Sequence, residues 1–411
     1  MVLIEFFDKT PIENVAGALG LRPETLVFLG DRKDMERRSP ACRALLDAVG
    51  LGDTELLRYP VPRNDLGAVT AALEKLLNKH GSLCFDLTGG DQIALTAAGM
   101  LYARYPDRIS LRRFNIETGR FYDITAEART RLGQLPGLTV AENILLHGGA
   151  VVWAKDKKGG TVTWDLSPEF RQDVAGLWDI CRRNCSLWNS QISALGALEK
   201  IRQDTGDPLH LRVNVSHAVD FLQHQKLKFK SGETYLDLQL AGLIEDLEYD
   251  GRTFSFRYKS PQVKKALDKA GTILELHTYL TALDLRDEAG DPLVGDALTG
   301  VLLDWDGRVN AGADTENEID VMLMQGLVPW FVSCKNGAVG HEELYKLSTV
   351  AERFGGPYGK KLLIATTLGR DIGNRDYFLG RGADMGITVL DGVHELSGEA
   401  FADKLRGILC G

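Results

Sequence analysis

Near the C-terminus, two strand-like stretches carry acids and a base where apolar residues are expected. Asn317-Glu318-Ile319-Asp320-Val321-Met322-Leu323-Met324 is followed, across Gln325-Gly326, by Leu327 to Trp330 and then Phe331-Val332-Ser333-Cys334-Lys335. Read as a hairpin with Gln325-Gly326 as its two-residue turn, the pairing sets Glu318 opposite Ser333 and Asp320 opposite Phe331. Side chains alternate along a strand, so Glu318, Asp320, Ser333 and Lys335 project from one face near the open end. The other positions are Ile, Val, Leu, Met, Trp and Phe, the composition of a hairpin buried on both faces. A buried charge without a partner costs on the order of several kcal/mol. Such groups persist by pairing, by holding a metal, or by meeting a charged substrate. Carboxylates beside a lysine suit metal-assisted phosphodiester hydrolysis. Their hard oxygens hold Mg²⁺ or Mn²⁺, while the ammonium steadies an attacking hydroxide or the charge on the phosphate. Glu275, between Leu274 and Leu276 on a helix ahead of these strands, is a further acidic ligand. The same geometry also admits a plain buried Asp–Lys ion pair.

The order of elements around these residues is a helix with Glu275, a strand, the Asp320 strand, the Lys335 strand, a helix and a strand. This order resembles the restriction-endonuclease-like fold of PD-(D/E)XK nucleases. Asp320 stands for the motif's first Asp, and Ser333-Cys334-Lys335 for its (D/E)-x-K, with Ser333 in place of a carboxylate. The resemblance implies a metal set of Asp320 with Glu275, or Glu318, as further carboxylate and the carbonyl of Cys334 as a neutral ligand. The catalytic group is then Asp320, Lys335, Ser333 and Glu318.

The elements that must position a second site lie in the first 117 residues. Apolar runs at Val2–Phe7, Thr25–Leu29, Leu56–Val61, Leu83–Leu87 and Ile109–Phe114 alternate with helical patterns at Ile12–Leu19, Met35–Val49, Leu66–Leu77 and Gln92–Tyr102. Strand and helix in alternation with short connections predict a parallel sheet covered on both faces, binding ligands beyond the carboxyl ends of its strands. After the fourth strand comes Asp86-Leu87-Thr88-Gly89-Gly90-Asp91-Gln92. Glycines at a strand-to-helix turn let backbone N–H groups approach an anion at the helix N-terminus, although a plain capping turn reads the same way. The first strand runs into Phe7-Asp8-Lys9-Thr10-Pro11 without GxGxxG, and no Walker lysine motif occurs, which removes nicotinamide and ATPase readings. The expected ligand contacts are Lys9, Thr10, Asp31, Thr88, Gly89, Gly90, Asp91 and Gln92.

Between the two lies a connector. Residues 168–205 read as helical, and Leu209 to Tyr258 gives two helical segments and the alternating run Thr253-Phe254-Ser255-Phe256-Arg257-Tyr258, compatible with a winged helix. Lys226, Lys228, Lys230, Arg252, Arg257 and Lys259 with interleaved aromatics make it a candidate nucleic-acid contact or else a solvated surface. Ser260 as N-cap and Pro261 open what reads as one long helix to about Leu280. The division is therefore 1–135, 136–259 and 260–411 in a chain of 411 residues, an α/β protein in three units. A net charge of −9 excludes broad electrostatic coating of nucleic acid, so any such contact is local. The six cysteines form no CxxC pair, which points to a reducing cytoplasm.

The whole chain resembles the fusions in which a CRISPR-associated Rossmann-fold (CARF) sensor is joined to a restriction-endonuclease-like domain. The resemblance rests on Leu87-Thr88-Gly89-Gly90, on the connector from Leu138-Thr139-Val140 to Gly148, and on Glu318-Ile319-Asp320 with Ser333-Cys334-Lys335-Asn336. It implies a homodimer whose sensor domains bind a cyclic oligoadenylate, most often cyclic tetra-adenylate. Binding then activates metal-dependent cutting of DNA, single-stranded or by nicking, or of RNA, in type III CRISPR defence. Asp91-Gln92 stands where such sensors commonly carry Thr-Lys, which removes a cation and adds an anion. Lys9, Thr10 and Asp31-Arg32-Lys33 are the nearby replacements. The rival from another class is a ligand-responsive DNA-binding regulator with a degenerate nuclease domain.

Overall fold

The computed structural model describes residues 1–125, 130–228, 232–309, 311, 316–368 and 372–411. Its N-terminal sheet is built from β1 (Val2–Phe7), β2 (Thr25–Gly30), β3 (Glu55–Pro60), β4 (Leu83–Asp86), β5 (Ile109–Asn115), β6 (Arg120–Asp123) and β7 (Thr130–Gln134), in the order β3-β2-β1-β4-β5-β6-β7. The first five strands are parallel and the last two antiparallel. Alternation explains the continuous apolar runs. Leu3, Phe7, Leu26 and Phe28 pack toward α2 (Arg32–Ala48), with Ile4, Phe6, Val27 and Leu29 toward α3 (Leu66–His80) and α4 (Gln92–Arg104). The short α1 (Ala16–Leu21) follows β1. Asp31, Asp65 and Asp91 start α2, α3 and α4 by accepting hydrogen bonds from backbone N–H groups of the first turn. The chain steps outward from β1 to β3 and then returns to the other side of β1 with β4. Strand order thus reverses between β1 and β4, where a doubly wound sheet opens its ligand crevice.

A capping box at Thr139 and Glu142 opens α5 (Val140–Leu146), and β8 (Ala150–Val151) joins the C-terminal sheet. The helical stretch after residue 168 is two helices, α6 (Pro168–Arg183) and α7 (Cys185–Leu198), because Asn184 ends one and caps the next. Then come β9 (His210–Asn214), α8 (Val215–His224), α9 (Glu233–Leu240), β10 (Ile244–Tyr249) and β11 (Thr253–Tyr258). Their antiparallel sheet, β10-β11-β9, beside these helices is a winged-helix arrangement. Its aromatics do not face outward. Phe254 and Phe256 are fully buried and Tyr258 nearly so. Arg257 pairs with Asp207 at 2.9 Å and Lys259 with Asp173 at 2.7 Å. Lys230 lies outside the described residues. Of the expected basic and aromatic face, Phe254, Phe256 and Tyr258 are core and Arg257 and Lys259 are in internal ion pairs, while Lys226, Lys228 and Arg252 are exposed.

Ser260 caps a helix as expected, but the single long helix is broken into α10 (Pro261–Ala266) and α11 (Thr272–Asp284). Gly271, costly in a helix interior by about 1 kcal/mol, sits at the break. The C-terminal sheet adds β12 (Asp296–Asp304), β13 (Glu316–Gln325), β14 (Val328–Lys335), β15 (Lys360–Ala365) and β16 (Ile387–Leu390), in the order β16-β15-β14-β13-β12-β8. The helices α12 (Glu342–Gly355), α13 (Ile372–Asp384) and α14 (Gly398–Cys410) complete the chain. Leu3 and Phe28 of the first sheet share one apolar cluster with Ile144 of α5 and with Leu344 and Phe354 of α12, so the two sheets are joined through a common core. Among the described residues no helix is long and apolar enough to cross a membrane.

Candidate functional site

The hairpin register differs from the expected one. Gln325 pairs with Val328 and Met322 with Phe331, so the turn is Gly326-Leu327, with Gly326 at φ 60°. A positive φ at the first turn position is what glycine supplies. The displacement is by two residues, which preserves parity. Glu318, Asp320, Ser333 and Lys335 still share a face, but Asp320 now comes opposite Ser333. The last paired residues are Val321 and Val332. Beyond them the Asp320 carboxylate bridges the strands in place of a ladder bond. Its Oδ2 accepts from the Cys334 backbone N–H at 2.7 Å, the Ser333 hydroxyl at 3.1 Å and the Lys335 ammonium at 3.0 Å. The Thr299 hydroxyl ties the Asp320 carbonyl to β12 at 3.1 Å.

Lys335 is shared with Glu343 of α12, at 3.2 Å, and Glu343 is itself held by Lys346 at 2.7 Å. Burial alone would lower the Lys335 pKa, but Asp320 and Glu343 outweigh it and hold the ammonium above the ordinary lysine range. Glu318 is exposed and tied to Lys269 at 3.1 Å. Burial pushes the Glu275 carboxyl up to about 8, and the charges of Asp320 and Glu318 add to it, against partial relief from Lys269 and Lys335.

The residues line two cavities that share Glu318. One, of about 250 Å³, takes in Lys265, Lys269, Glu275 and Thr299. The other, of about 70 Å³, takes in Asp320, Ser333, Lys335 and Glu343. Among the described residues no three His, Cys, Asp or Glu side chains converge on one metal position. The donor chemistry nevertheless fits a hard divalent cation, since a carboxyl raised by burial and then by neighbouring carboxylates is one that a cation would relieve. Cys334 can add only its backbone. Its thiol donates to Thr278 at 3.7 Å and is pushed well up by burial. Its N–H points toward β13, and in a strand the carbonyl of the same residue leaves on the same side. Glu343 and Lys269 were not singled out from the sequence. Glu343 lies in the first turn of the helix after the motif, and Lys269 just ahead of Gly271, at the break before Glu275.

At the other sheet, the loops after β1 and β4 meet at the strand-order reversal. Gly90 has φ 102°, and a Cβ there would fall 2.5 Å from Phe6 Cβ, so glycine is required. Its N–H is taken by the Asp8 carboxylate at 3.2 Å, and a Cβ on Gly89 would meet Glu13. Thr88 is pinned from below: its N–H donates to Asp86 at 2.8 Å and its hydroxyl accepts from Phe114 N–H at 2.8 Å. Asp91 is turned toward α4 and accepts from Ala94 N–H at 2.8 Å, leaving Gln92 exposed in the first turn. Asp31 caps α2 in the same way, Lys9 is exposed, and the Thr10 N–H donates to Asp8 at 2.7 Å. A cavity of about 380 Å³ over this turn has Asp8, Asp31, Asp34 and Asp91 in its wall against Lys9 and Arg63. Of the expected ligand residues, Lys9, Asp31, Gly90 and Asp91 come together in this wall, while the Gly90 N–H is already held by Asp8 and Thr88 is turned to Asp86 and Phe114. Tyr358, just after α12, donates to Glu13 at 2.6 Å and connects this turn to the C-terminal unit.

Solved structures share this fold over the full chain. Protein VC1899 from Vibrio cholerae aligns at a TM-score of 0.70 and 14% identity, over 100% of this chain and 97% of that one. Can2 from Sulfobacillus thermosulfidooxidans, solved in complex with cyclic tetra-adenylate, aligns at 0.64 and 16%, over 100% and 97%. A type III CRISPR defence DNA nuclease activated by cyclic oligoadenylate aligns at 0.52 and 12%, over 100% of this chain and 51% of that one. No protein-family model and no curated protein matches the sequence. The chain therefore has an α/β fold with an N-terminal Rossmann-like domain, a winged-helix-like connector and a C-terminal α/β domain.

Proposed function

We propose that the protein is a metal-dependent endonuclease switched on by a cyclic oligoadenylate, cyclic tetra-adenylate first, acting on DNA or RNA in type III CRISPR defence. In this reading residues 1–135 sense the ligand, 136–259 connect, and 260–411 cut, in a cytoplasmic homodimer. The observation that carries it is the set around Asp320: a carboxylate fixed by three donors from β14, one of them a lysine held firmly charged.

Glu275, Asp320 and the Cys334 carbonyl would hold Mg²⁺ or Mn²⁺. Such an ion supplies Lewis acidity and a more acidic water. Lys335 cannot serve as a base at neutral pH, because its neighbours keep it protonated; its role is to stabilise negative charge building on the phosphate. Asp320 and Glu343 aim that ammonium, while Ser333 fixes the rotamer of Asp320 and so supports the charge without adding one. Glu318, latched to Lys269 at the rim, would meet the substrate strand when Lys269 turns to a phosphate. Support for the sensor comes from the crevice at the β1–β4 reversal and from the full-length likeness to a protein solved with cyclic tetra-adenylate. A DNA-binding regulator is less well supported, since the winged-helix aromatics are buried.

The test is cleavage of labelled single-stranded DNA, duplex DNA and RNA with Mn²⁺, with and without cyclic tetra-adenylate. Cutting is expected only when both are present and is stopped by a chelator. Cutting that survives chelation would remove the metal assignment, and no cutting under any condition would remove the nuclease.

A further inference from the structure

A second, larger cavity shares Lys9 with the acidic one over the glycine turn but has the opposite charge. It is about 690 Å³ in volume and lies where α2 and the loop after β1 meet α5 and the C-terminal end of α12. Its wall carries Lys9, Arg37, Arg38 and Arg353 against a single carboxylate, Glu352, in a chain whose net charge is −9. Among the described residues no carboxylate forms an ion pair with any of the three arginines. Their hydrogen bonds go to neutral carbonyls: Arg38 donates to the Lys9 carbonyl, and Arg353 to those of His147 and Trp305, the latter at 3.0 Å. Arg38 Nε is buried without any partner. The Arg353 guanidinium lies 4.9 Å from the Phe354 ring centre, which holds its plane in place.

Like charges gathered this way repel one another. Burial lowers the pKa of Arg38, with Arg37 adding and Asp34 and Asp8 opposing, and burial lowers that of Arg353, with Arg38 and then Arg37 adding. Burial also pushes His147 down to about 4, with Arg353 and Arg38 adding, so His147 is neutral and presents no further cation. Its Nδ1 faces the Asn143 carbonyl at 2.9 Å, so Nδ1 carries the proton and Nε2 is left as an acceptor. Pre-placed guanidinium groups that outnumber the one wall carboxylate and are held by neutral carbonyls match the planar recognition of a phosphoryl group. The volume falls in the range of small-molecule sites and excludes a duplex.

We propose that this cavity binds a small phosphate-bearing ligand, as free phosphate or as a nucleoside monophosphate, at the junction of the N- and C-terminal units and separately from the Gly89-Gly90 turn. The site goes beyond the sensor and nuclease reading and stands without it. It has one mechanical implication: the ligand would touch α2 on one side and Arg353 of α12 on the other, and α12 begins with the Glu343 that pairs with Lys335.

Calorimetry on the full chain tests this with sodium phosphate and with 5′-AMP as titrants. Binding of one molecule per chain is expected. Arg37→Glu, at an exposed position without an ion pair among the described residues, should weaken it by about tenfold or more at an unchanged melting temperature. Arg37→Gln, expected to weaken it by about threefold, covers the case in which the charge reversal harms folding. The double variant Asp91→Thr with Gln92→Lys alters the glycine turn but keeps an N-cap residue, and should leave the Kd within about twofold. Equal affinity for the two titrants means that the phosphoryl group alone is read, and tighter 5′-AMP binding means a nucleotide; both support the site. No heat with either titrant overturns it. So does parent-like binding by both Arg37 variants, or an effect of the turn variant as large as that of Arg37→Glu. Loss of cleavage activation by cyclic tetra-adenylate, by contrast, would bear only on the sensor reading.

Discussion

The N-terminal sheet holds a pair of carboxylates, the C-terminal sheet shares one with the helix α11, and the surroundings of the two pairs differ. Glu5 and Asp86 are neighbours on β1 and β4 and are 2% and 1% exposed. One oxygen of each lacks any partner, and a Cβ on Gly17 would collide with both. Burial, then Asp86, raises the Glu5 carboxyl well above its usual range, while burial pushes Asp86 up to about 6. Such a pair keeps a proton between its members. The charge of Asp320 acts on Glu275 as well, but these two have Lys335 and Lys269 beside them and cavities in front of them. A buried acid pair is therefore not in itself a site. Countercharge together with an opening makes it one.

The contrast breaks most plainly if charge matters equally at both pairs. Asp320→Asn keeps an oxygen for the Cys334 N–H but gives up the charge, and should lower metal-dependent cleavage on the order of a thousandfold. Glu5→Gln should leave cleavage within about twofold. Comparable losses in the two variants, measured in the same assay, would mean that the C-terminal pair is structural as well.

Lys335→Ala comes next, with an expected loss of about a hundredfold in the single-turnover rate at saturating enzyme and little change in substrate affinity. A change confined to the salt dependence of binding would make Lys335 a contact for substrate and leave the charge-stabilising role empty.

A smaller effect is expected at the sensor. Asp91→Thr with Gln92→Lys should tighten cyclic tetra-adenylate binding by about tenfold, because it removes an acid from a wall of four and adds a cation. Calorimetry that finds no binding by parent or variant would show that the crevice does not take this ligand.

The smallest effect is on stability. Without metal, Glu275 titrates at about 8 in the folded chain and at about 4.3 unfolded. The folded state then holds the extra proton between these values. The stability this contributes is complete below the unfolded pKa and is lost as pH rises through about 8. Glu275→Gln should flatten that slope and be more stable than the parent by about 1–2 kcal/mol at pH 8.5 in a chelator. Thermal melts at several pH values, repeated with Mn²⁺, would show whether the metal erases the same slope, and a parent without any slope would remove Glu275 from the site.

Legibility in the sequence followed burial. β1, β2 and β4 stand out because both of their faces are covered, so their residues are mostly apolar, with Glu5 and Asp86 as the buried acidic exceptions. β6, β7 and β9 were not distinguished, since their alternation is short and carries Arg, Asp and His. Asp320, Ser333 and Lys335 were legible as charged or polar residues out of place in a core hairpin. Their partners were not: Glu343 reaches Lys335 from a helix, and Lys269 reaches Glu318 across 49 residues, and no local pattern encodes either approach. The same holds for the cationic cavity, whose arginines come from α2 and α12 and meet only because a common core brings those helices together.

The displaced register of β13 and β14 has a consequence for how the gene can change. Because the turn falls one residue later than expected and each cross-strand partner shifts by two, which keeps the faces unchanged, its two arms behave as text read in pairs. One codon inserted between Val321 and Met324 would swing Asp320 to the far face, away from Lys335, while every residue nearer the turn kept its place. A second codon beside it would bring Asp320 back. Descendants of this chain should therefore tolerate length changes in these strands by even steps and lose the acid–lysine pair by odd ones.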